Sequence, residues 1–178
     1  MSAAMSVLDV MRESGLRPDK YTYNTLIQGW IELKEMDRAM DLFKKMKRNK
    51  RVRPDIVTYT LLINGWAREM RNMKKAEKVM HDLMNDRNVC PDNRTFDAIL
   101  RGYSCLFHED LNWRAERMYY WLCRMRDMKL KPNQYTVKPF TSQSLYFPGN
   151  DDPFWKNYGM PYDPRRDRFS RRRDRLHR

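Results

Sequence analysis

The chain has 178 residues, 41% hydrophobic and 33% charged, so it can bury a core while keeping a well-solvated surface. Lysine and arginine outnumber aspartate and glutamate by 36 to 23, and the net charge of +13 favours polyanionic partners, nucleic acid first among them. No apolar run reaches the roughly 18 to 20 residues of a membrane-spanning helix, and the odd number of cysteines, three, argues against a disulfide framework and for a reducing compartment.

The first residues carry acidic side chains early and lack both an Arg-rich amphipathic face and a long apolar core. They therefore predict neither a transit peptide nor a secretory signal. Residues 1–19 instead predict one helix, with small and apolar residues at helical spacing at Ala4, Val7, Leu8 and Met11.

A tripeptide recurs four times in the rest of the chain. It consists of a basic residue or Cys, then Pro, then Asp or Asn, and it occurs at Arg17-Pro18-Asp19, Arg53-Pro54-Asp55, Cys90-Pro91-Asp92 and Lys131-Pro132-Asn133. Its prolines are 36, 37 and 41 residues apart. Repetition at such a period is the signature of a repeat architecture.

Each unit between the tripeptides contains two amphipathic segments. The second has an Ala followed by apolar residues at helical spacing, as in Ala39, Leu42, Phe43 and Met46. The residue before a proline avoids helical conformation, and the Asp after it can cap the next helix. One hairpin cannot bury its apolar stripes alone, so neighbours must stack. The sequence therefore predicts an all-α fold, a solenoid of helix-turn-helix repeats.

The spacing defines three complete repeats, at residues 20–55, 56–92 and 93–133. Residues 1–19 match only the second helix of a repeat, so either the protein begins further upstream or this helix caps the stack. A partial repeat follows at 134–140. It contains Pro139, and because proline inside a helix costs about 3 kcal/mol we expect its first helix to end early.

A glycine followed by an aromatic residue recurs in the first segment of each repeat, at Gly29-Trp30, Gly65-Trp66 and Gly102-Tyr103. These pairs form either a stacking ladder for nucleic acid or a packed helix interface. We favour packing, because aromatic residues at helical spacing beside a small residue are typical of a core. The fourteen methionines are interpreted as core filler in the same way.

The tail, residues 141–178, has no periodicity and is rich in Pro, Gly, Asp and aromatic residues. It ends in eight arginines that can grip phosphates: Arg165, Arg166, Arg168, Arg171, Arg172, Arg173, Arg175 and Arg178. Such a composition does not fold alone, so we expect this segment to become ordered on RNA or on protein. The alternative is a solvated basic tail that raises nonspecific affinity for RNA.

The repeats resemble pentatricopeptide repeats, which have an apolar-Thr-Tyr-Asn-Thr-Leu-Ile start, an Ala in the second helix and a Lys-Pro-Asp end. Thr22-Tyr23, Leu26-Ile27 and Ala39 carry this pattern in the first repeat. Tetratricopeptide repeats are a competing match, with a 34-residue period and peptides as usual ligands. The resemblance implies a right-handed α-solenoid that binds single-stranded RNA at one base per repeat.

The resemblance also implies which side chains contact the bases. The fifth residue of the first helix and the last residue of the repeat read the base edge, which gives the pairs Asn24 with Asp55, Thr60 with Asp92, and Asp97 with Asn133. By analogy the first pair favours uracil and the second guanine, and the third receives no base because Asp is uncommon at the fifth position. The second residue of each repeat supplies a stacking wall, at Tyr21, Val57 and Arg94. The aspartates that end repeats are expected to cap helices as well.

Catalysis has no support in the sequence. His108 lies near Cys105 and Cys123, but these residues fall short of a four-ligand zinc site, and no nucleophile or phosphate-loop motif is present. We therefore predict a protein that is not an enzyme and that has no metal or cofactor.

The predicted function is RNA binding in organellar gene expression, within a ribonucleoprotein such as the mitochondrial ribosome. Three repeats read too few bases for a unique address, since each mismatch costs only about 1–3 kcal/mol. The alternatives are a free trans-acting factor on organellar transcripts and a tetratricopeptide-like protein scaffold. Localisation to the mitochondrion, or alternatively the plastid, follows from the resemblance alone.

Overall fold

The computed structural model describes residues 3–49, 51–106 and 110–141. In this part of the chain all regular structure is helical, as the sequence predicts. The helices are α1 (Ala3–Glu13), α2 (Lys20–Glu32), α3 (Met36–Arg48), α4 (Ile56–Asn64), a π-helical turn (Gly65–Glu69), α5 (Met73–Met84), α6 (Asn93–Ser104), α7 (Leu111–Asp127) and α8 (Gln134–Thr141). None of them is both long and apolar enough to cross a membrane. The predictions for residues 142–178 lie outside the described residues.

The helices belong to two compact units, residues 1–91 and 92–178. In the first unit α2 packs against α3, α4 packs against α5, and α2 lies beside α4, so two hairpins stack through their first helices. In the second unit α6 packs against both α7 and α8. Stacked hairpins of this kind are what the repeat pattern indicates.

The punctuating tripeptide sets where the first helices begin. Asp19, Asp55 and Asp92 each accept a hydrogen bond from the backbone N–H three residues later, at 2.9, 3.1 and 2.9 Å. Asn133 does the same for α8, with a 3.1 Å bond from the N–H of Thr136. Such caps stabilise a helix by about 1 kcal/mol each.

The core consists of the apolar stripes that the periodicity predicts. Trp30, Trp66 and Tyr103 are all buried, with at most 5% of each exposed, so packing is their role. The Ala-led stripes of α3, α5 and α7 are buried beside them. The stripe of α1 is only partly buried, since Leu8 is covered while Val7 is 44% exposed.

Gly29 and Gly65 occupy equivalent positions, ten residues after a capping aspartate, but have different surroundings. A Cβ atom on Gly65 would lie 2.9 Å from Met36 Sδ and 3.1 Å from Ile31 Cγ1. A Cβ on Gly29 would meet no atom of another element within 4 Å among the described residues. Close packing therefore requires glycine at Gly65 but not at Gly29.

Alanine at these two positions is expected to act in opposite directions. Gly29→Ala should raise the free energy of unfolding by about 0.5–1 kcal/mol, because glycine inside a helix is entropically unfavourable. Gly65→Ala should lower it by about 1 kcal/mol or more, because buried Met36 must move. Urea unfolding of the two variants checks the pair, and a gain at Gly65 would contradict the close approach.

The π-helical turn holds one additional residue. Glu35 is at the N-cap position of α3, sixteen residues after Asp19, whereas Asn72 is at the N-cap position of α5, seventeen residues after Asp55. The N–H of Met70 donates to the carbonyl of Gly65, five residues back, at 3.1 Å. The longer second repeat is thus accommodated inside its first helix.

Helix α8 is short, as expected, with eight residues against thirteen in α2 and twelve in α6, but it does not end at Pro139. α8 continues through Pro139 to Thr141. Asn133 Oδ1 accepts bonds from the N–H groups of Tyr135 and Thr136, and the first four N–H groups of a helix need no partner within it. Pro139 is the sixth residue, so it removes one hydrogen bond, and packing of α8 on α6 offsets the loss.

A buried phenol joins α4 to the turn after α5. Tyr59 is fully buried and donates a 2.9 Å hydrogen bond to Asp86 Oδ2. Burial raises the pKa of this phenol above its usual value of 10.0, and the hydrogen bond and the negative charges of Asp86 and Asp82 raise it further. A raised pKa stabilises the folded protein below pH 10, and this contribution is lost as pH rises above 10.

Tyr59→Phe is expected to lower the stability by about 1 kcal/mol at pH 7, because it removes the hydrogen bond to Asp86. The substitution should also remove the part of the stability loss above pH 10 that comes from ionisation of this tyrosine. Urea unfolding from pH 7 to 11 measures this loss. The exposed Tyr21 supplies the control, since Tyr21→Phe should change stability at pH 7 by less than about 0.5 kcal/mol. An unchanged alkaline profile in Tyr59→Phe would contradict the assignment.

Candidate functional site

The predicted pair Asn24 and Asp55 lies together where α2 meets the start of α4. Asn24 Nδ2 donates to Asp55 Oδ1 at 3.4 Å, and the Thr58 hydroxyl lies 2.6 Å from Asn24 Oδ1 as its donor. Asp55 Oδ1 also accepts from the backbone N–H of Thr58, in a capping box at the start of α4. The side chain at the fifth position is therefore held against the last residue of its own repeat.

Asp55 remains a charged acceptor in this cluster. Burial by itself raises the pKa of its carboxyl, but hydrogen bonds from Thr58 and Asn24 and the nearby charge of Lys20 outweigh burial, and the pKa lies below its usual 3.8. Lys20 Nζ is 3.6 Å from Asp55 Oδ2, and 29% of the Asp55 side chain is exposed. The pair thus offers an anionic oxygen and an amide N–H side by side.

Asp97 and Asn133 form the corresponding cluster in the second unit with the two residue types exchanged. Asn133 Nδ2 donates to Asp97 Oδ2 at 3.3 Å, and the Thr136 hydroxyl donates to Asp97 Oδ1 at 2.7 Å. Asp97 is only 5% exposed. Here the carboxylate occupies the fifth position and is buried, whereas in the first cluster the amide occupies that position and both side chains are partly exposed.

The predicted pair Thr60 and Asp92 is divided between the two units. Thr60 lies in the first unit, where its hydroxyl donates to the carbonyl of Ile56 at 2.8 Å. Asp92 lies in the second, where it caps α6 through the N–H and the hydroxyl of Thr95. Helix capping by Asp92 is an observed contact, and its part in base reading stays a prediction.

The residues predicted to form a stacking wall are exposed. Tyr21 is 71% and Val57 49% exposed, and Arg94 is also exposed. Sequence reasoning did not include Tyr135, which is at the corresponding position of the partial repeat and is 56% exposed on α8. The signal was present, since Tyr135 follows Asn133 by two residues as Tyr21 follows Asp19, but the expected early end of the helix at Pro139 concealed it.

No group of three or more His, Cys, Asp or Glu residues that could hold a metal ion occurs in the described ranges. His108 and the eight predicted phosphate-binding arginines of the tail lie outside those ranges. The prediction of no metal and no cofactor therefore stays a prediction.

Comparison with known proteins places these repeats in a family. The PPR repeat family matches residues 21–68 and 54–105. The pentatricopeptide repeat protein PPR10, solved in complex with an 18-nucleotide psaJ RNA element, is 26% identical with a TM-score of 0.65 over 82% of this chain and 21% of its own. A structure of PPR10 from maize is 26% identical with a TM-score of 0.64 and covers 80% of this chain and 20% of its own.

A third structure, nuclear proteinaceous RNase P 2 from A. thaliana, is 16% identical with a TM-score of 0.61 and covers 78% of this chain and 28% of its own. At that identity the likeness shows the fold alone. No curated protein matches the chain. The chain spans about a fifth of the length of the PPR10 structures.

Two overlapping family matches and the hairpin structure define a helical-repeat protein of the solenoid class. The repeats of this chain, over residues 21–105, belong to the pentatricopeptide-repeat family. The resemblance to this family and the predicted fold class are confirmed, and the tetratricopeptide alternative is set aside.

Proposed function

We propose that this protein binds single-stranded RNA, and that it does so as a subunit of an organellar ribonucleoprotein such as the mitochondrial ribosome. The observation that carries RNA binding is the Asn24 and Asp55 cluster. Its two side chains hold each other at 3.4 Å. Lys20 Nζ connects the cluster to the exposed ring of Tyr21, since it lies 3.6 Å from Asp55 Oδ2 and 5.6 Å from the ring centroid. The resemblance to pentatricopeptide repeats assigns base contacts to these same positions.

The chemistry of the cluster suits a base edge that carries both a donor and an acceptor. A carboxylate accepts from a ring N–H, and a side-chain amide donates to a carbonyl. Uracil presents that combination, in agreement with the family assignment for this pair. Tyr21 offers a face on which a base can stack, an interaction worth about 1–3 kcal/mol.

The PPR10 complex supports this proposal, because a structure of similar fold and 26% identity was solved with an RNA element. The net charge of +13 is the other support, since phosphate contacts dominate the affinity of nucleic-acid binding proteins. We further propose that the protein has no catalytic activity, because neither its sequence motifs nor the cluster described above offers a nucleophile or a general base beside an open site.

A place within a ribonucleoprotein is favoured over a free transcript factor by the basic tail, since its arginines match phosphates in folded RNA. The three pairs in residues 20–133, one with exchanged residue types, read only a short stretch of RNA, and each mismatch there costs about 1–3 kcal/mol. We place the protein in the mitochondrion, with the plastid as the alternative.

The test of RNA binding is the affinity of the full chain for fluorescent oligouridine, oligoadenine, and the DNA analogue of oligouridine. We expect binding that weakens with salt and prefers oligouridine. Absence of binding to every oligonucleotide at 50 mM salt would overturn the proposed function.

Sedimentation of tagged protein from organelle lysates separates the two assembly states. Comigration with ribosomal subunits in high salt supports the ribonucleoprotein subunit. Migration at the top of the gradient, together with crosslinks from positions 24 and 60 to one transcript site, would establish the free factor instead.

A further inference from the structure

The end of α3 and the turn that follows it carry an excess of positive charge. Seven of the ten residues from 44 to 53 are basic, namely Lys44, Lys45, Lys47, Arg48, Lys50, Arg51 and Arg53. Lys50 lies outside the described residues. We call the other six residues, all of which are exposed, the basic edge.

Helix capping does not account for this charge. Cations in the last turn of a helix interact favourably with its carbonyl groups, at about 0.3–1 kcal/mol each. The last turn of α5 has His81 as its one basic residue, and α5 forms as well as α3 does. Residues 81–90, which correspond to the basic edge in the next repeat, contain Arg87 together with Asp82 and Asp86.

Ion pairing accounts for only part of it. Lys44 Nζ lies 3.0 Å from Asp41, and Lys47 Nζ lies 3.2 Å from Asp82. Both pairs are on the surface, where such contacts contribute at most about 1 kcal/mol. The three arginines of the edge remain exposed beyond these pairs.

Asn49 ties the backbone of Arg51 to the end of α3. Asn49 Oδ1 accepts hydrogen bonds from the N–H groups of Arg51 at 2.9 Å and Val52 at 3.3 Å. Asn49 itself donates its N–H to the carbonyls of Lys45 and Met46. These bonds restrain the backbone at Arg51, which lowers the entropy lost when a ligand binds there.

The positive surface continues along α3. A cavity of about 470 Å³ is lined by Arg38, Lys44, Lys45 and Arg48 and by a single acid, Asp41, with Trp30 and Leu42 as its apolar part. Cations outnumber acids four to one around this cavity, so the charge favours an anion.

The basic edge leads directly to the candidate base site. Arg53 precedes Asp55 by two residues, so their Cα atoms are at most about 7 Å apart. Arg48, at the end of α3, precedes Asp55 by seven residues. A single RNA strand with one base at Asn24 and Asp55 has an adjoining phosphate within reach of Arg53, the member of the edge next to Asp55, whereas an acidic peptide would have no reason to adjoin a base site.

We propose that the basic edge binds the phosphate backbone of the RNA segment that adjoins the base held by Asn24 and Asp55. This inference rests on the proposed function and adds a second contact surface to it. Guanidinium groups match phosphate oxygens in a two-pronged geometry, which suits Arg48, Arg51 and Arg53 to this role. The edge supplies affinity without selecting a base.

The test is a triple variant, Arg48→Gln, Arg51→Gln and Arg53→Gln, with Lys74→Gln, Lys78→Gln and Arg87→Gln as a control of equal charge. All six residues are exposed. Binding of the full chain to oligouridine is measured from 50 to 300 mM salt. We expect the edge variant to bind about tenfold more weakly at 150 mM salt, with a slope of log affinity against log salt shallower by about 2, because each phosphate contact on a single strand contributes about 0.7. Its preference for oligouridine over oligoadenine should be unchanged.

Equal losses in the two triple variants would overturn the inference and leave the proposed function standing if the unsubstituted chain binds. Circular dichroism of both variants verifies that they are folded. Competition with poly-glutamate tests whether the edge binds an acidic protein instead. The inference is wrong if poly-glutamate displaces oligouridine from the unsubstituted chain but not from the edge variant, while the two proteins have the same RNA affinity.

Discussion

Asn133→Asp is expected to destabilise the second unit by about 2–4 kcal/mol at neutral pH. Asn133 Nδ2 is the donor to Asp97 Oδ2 at 3.3 Å, and the substitution places two carboxylates at that distance. Two like charges this close repel by about 5 kcal/mol at an effective dielectric constant of 20, and uptake of a proton relieves part of this repulsion. Stability of this variant should therefore increase as the pH is lowered from 7 towards 5.

The exchange of both residues provides the control. Asp97→Asn combined with Asn133→Asp reproduces the arrangement of Asn24 and Asp55, with Thr136 in the place of Thr58. We expect the double variant to lie within about 1 kcal/mol of the natural protein, which gives a coupling energy of about 1–3 kcal/mol in a double-mutant cycle. Urea unfolding gives these values, and hydrogen exchange of residues 134–141 reports whether α8 stays docked. A double variant less stable than Asn133→Asp alone would contradict the exchanged-pair interpretation.

Substitution of Asp55 is expected to have the largest effect on RNA binding, and its variants separate two roles of one side chain. Asp55→Ala removes the cap of α4 and the contact to Asn24, so stability should fall by about 1–2 kcal/mol and oligouridine affinity about tenfold or more. Asp55→Asn keeps a capping oxygen but removes the charge, so it should retain most of the stability while losing the preference for oligouridine. Asp19→Asn is the matched control, because Asp19 caps α2 in the same way without a partner at a fifth position.

Acid unfolding tests the role of the Asp55 carboxyl independently of RNA binding. The pKa of Asp55 in the folded protein lies below 3.8, so its stabilising contribution is complete above that value and is lost as pH falls from about 4 through the folded pKa. Asp55→Asn should therefore show a shallower loss of stability below pH 4 than the natural protein. Equal acid slopes, or an unchanged base preference in Asp55→Asn, would refute the assigned role.

The architecture could be read from the sequence because several independent signals recur in phase. Each Pro-Asp pair fixes a helix start, since proline removes helical conformation before it and aspartate supplies the cap. The Ala-led stripes fix which face of each second helix is buried. The pairing of Asn24 with Asp55, inferred from the family resemblance, corresponds to a real contact in the structure, while its part in base reading has yet to be tested.

Other features depend on contacts that no single sequence displays. The glycines at positions 29 and 65 have the same register, and only the three-dimensional environment shows that Met36 and Ile31 crowd one of them. Pro139 carries a strong local signal, but a helix anchored by Asn133 and packed on α6 tolerates the missing bond. The sequence shows Asp97 as an unusual residue type at the fifth position of its repeat. Only the structure shows that Asp97 and Asn133 have exchanged roles, because it contains the hydrogen bond from Thr136 to Asp97.

The π-helical turn at Gly65–Glu69 has a consequence for how such repeats tolerate insertions. The extra residue lies beyond Trp66, towards the turn that leads to α5, whereas the second and fifth residues of the repeat lie at the other end of the first helix. Tyr21 and Val57 both follow their capping aspartate by two residues, and Asn24 and Thr60 both follow it by five. A repeat of this kind can therefore lengthen without moving its second and fifth residues relative to the capping aspartate, because the helix absorbs the extra residue at its far end.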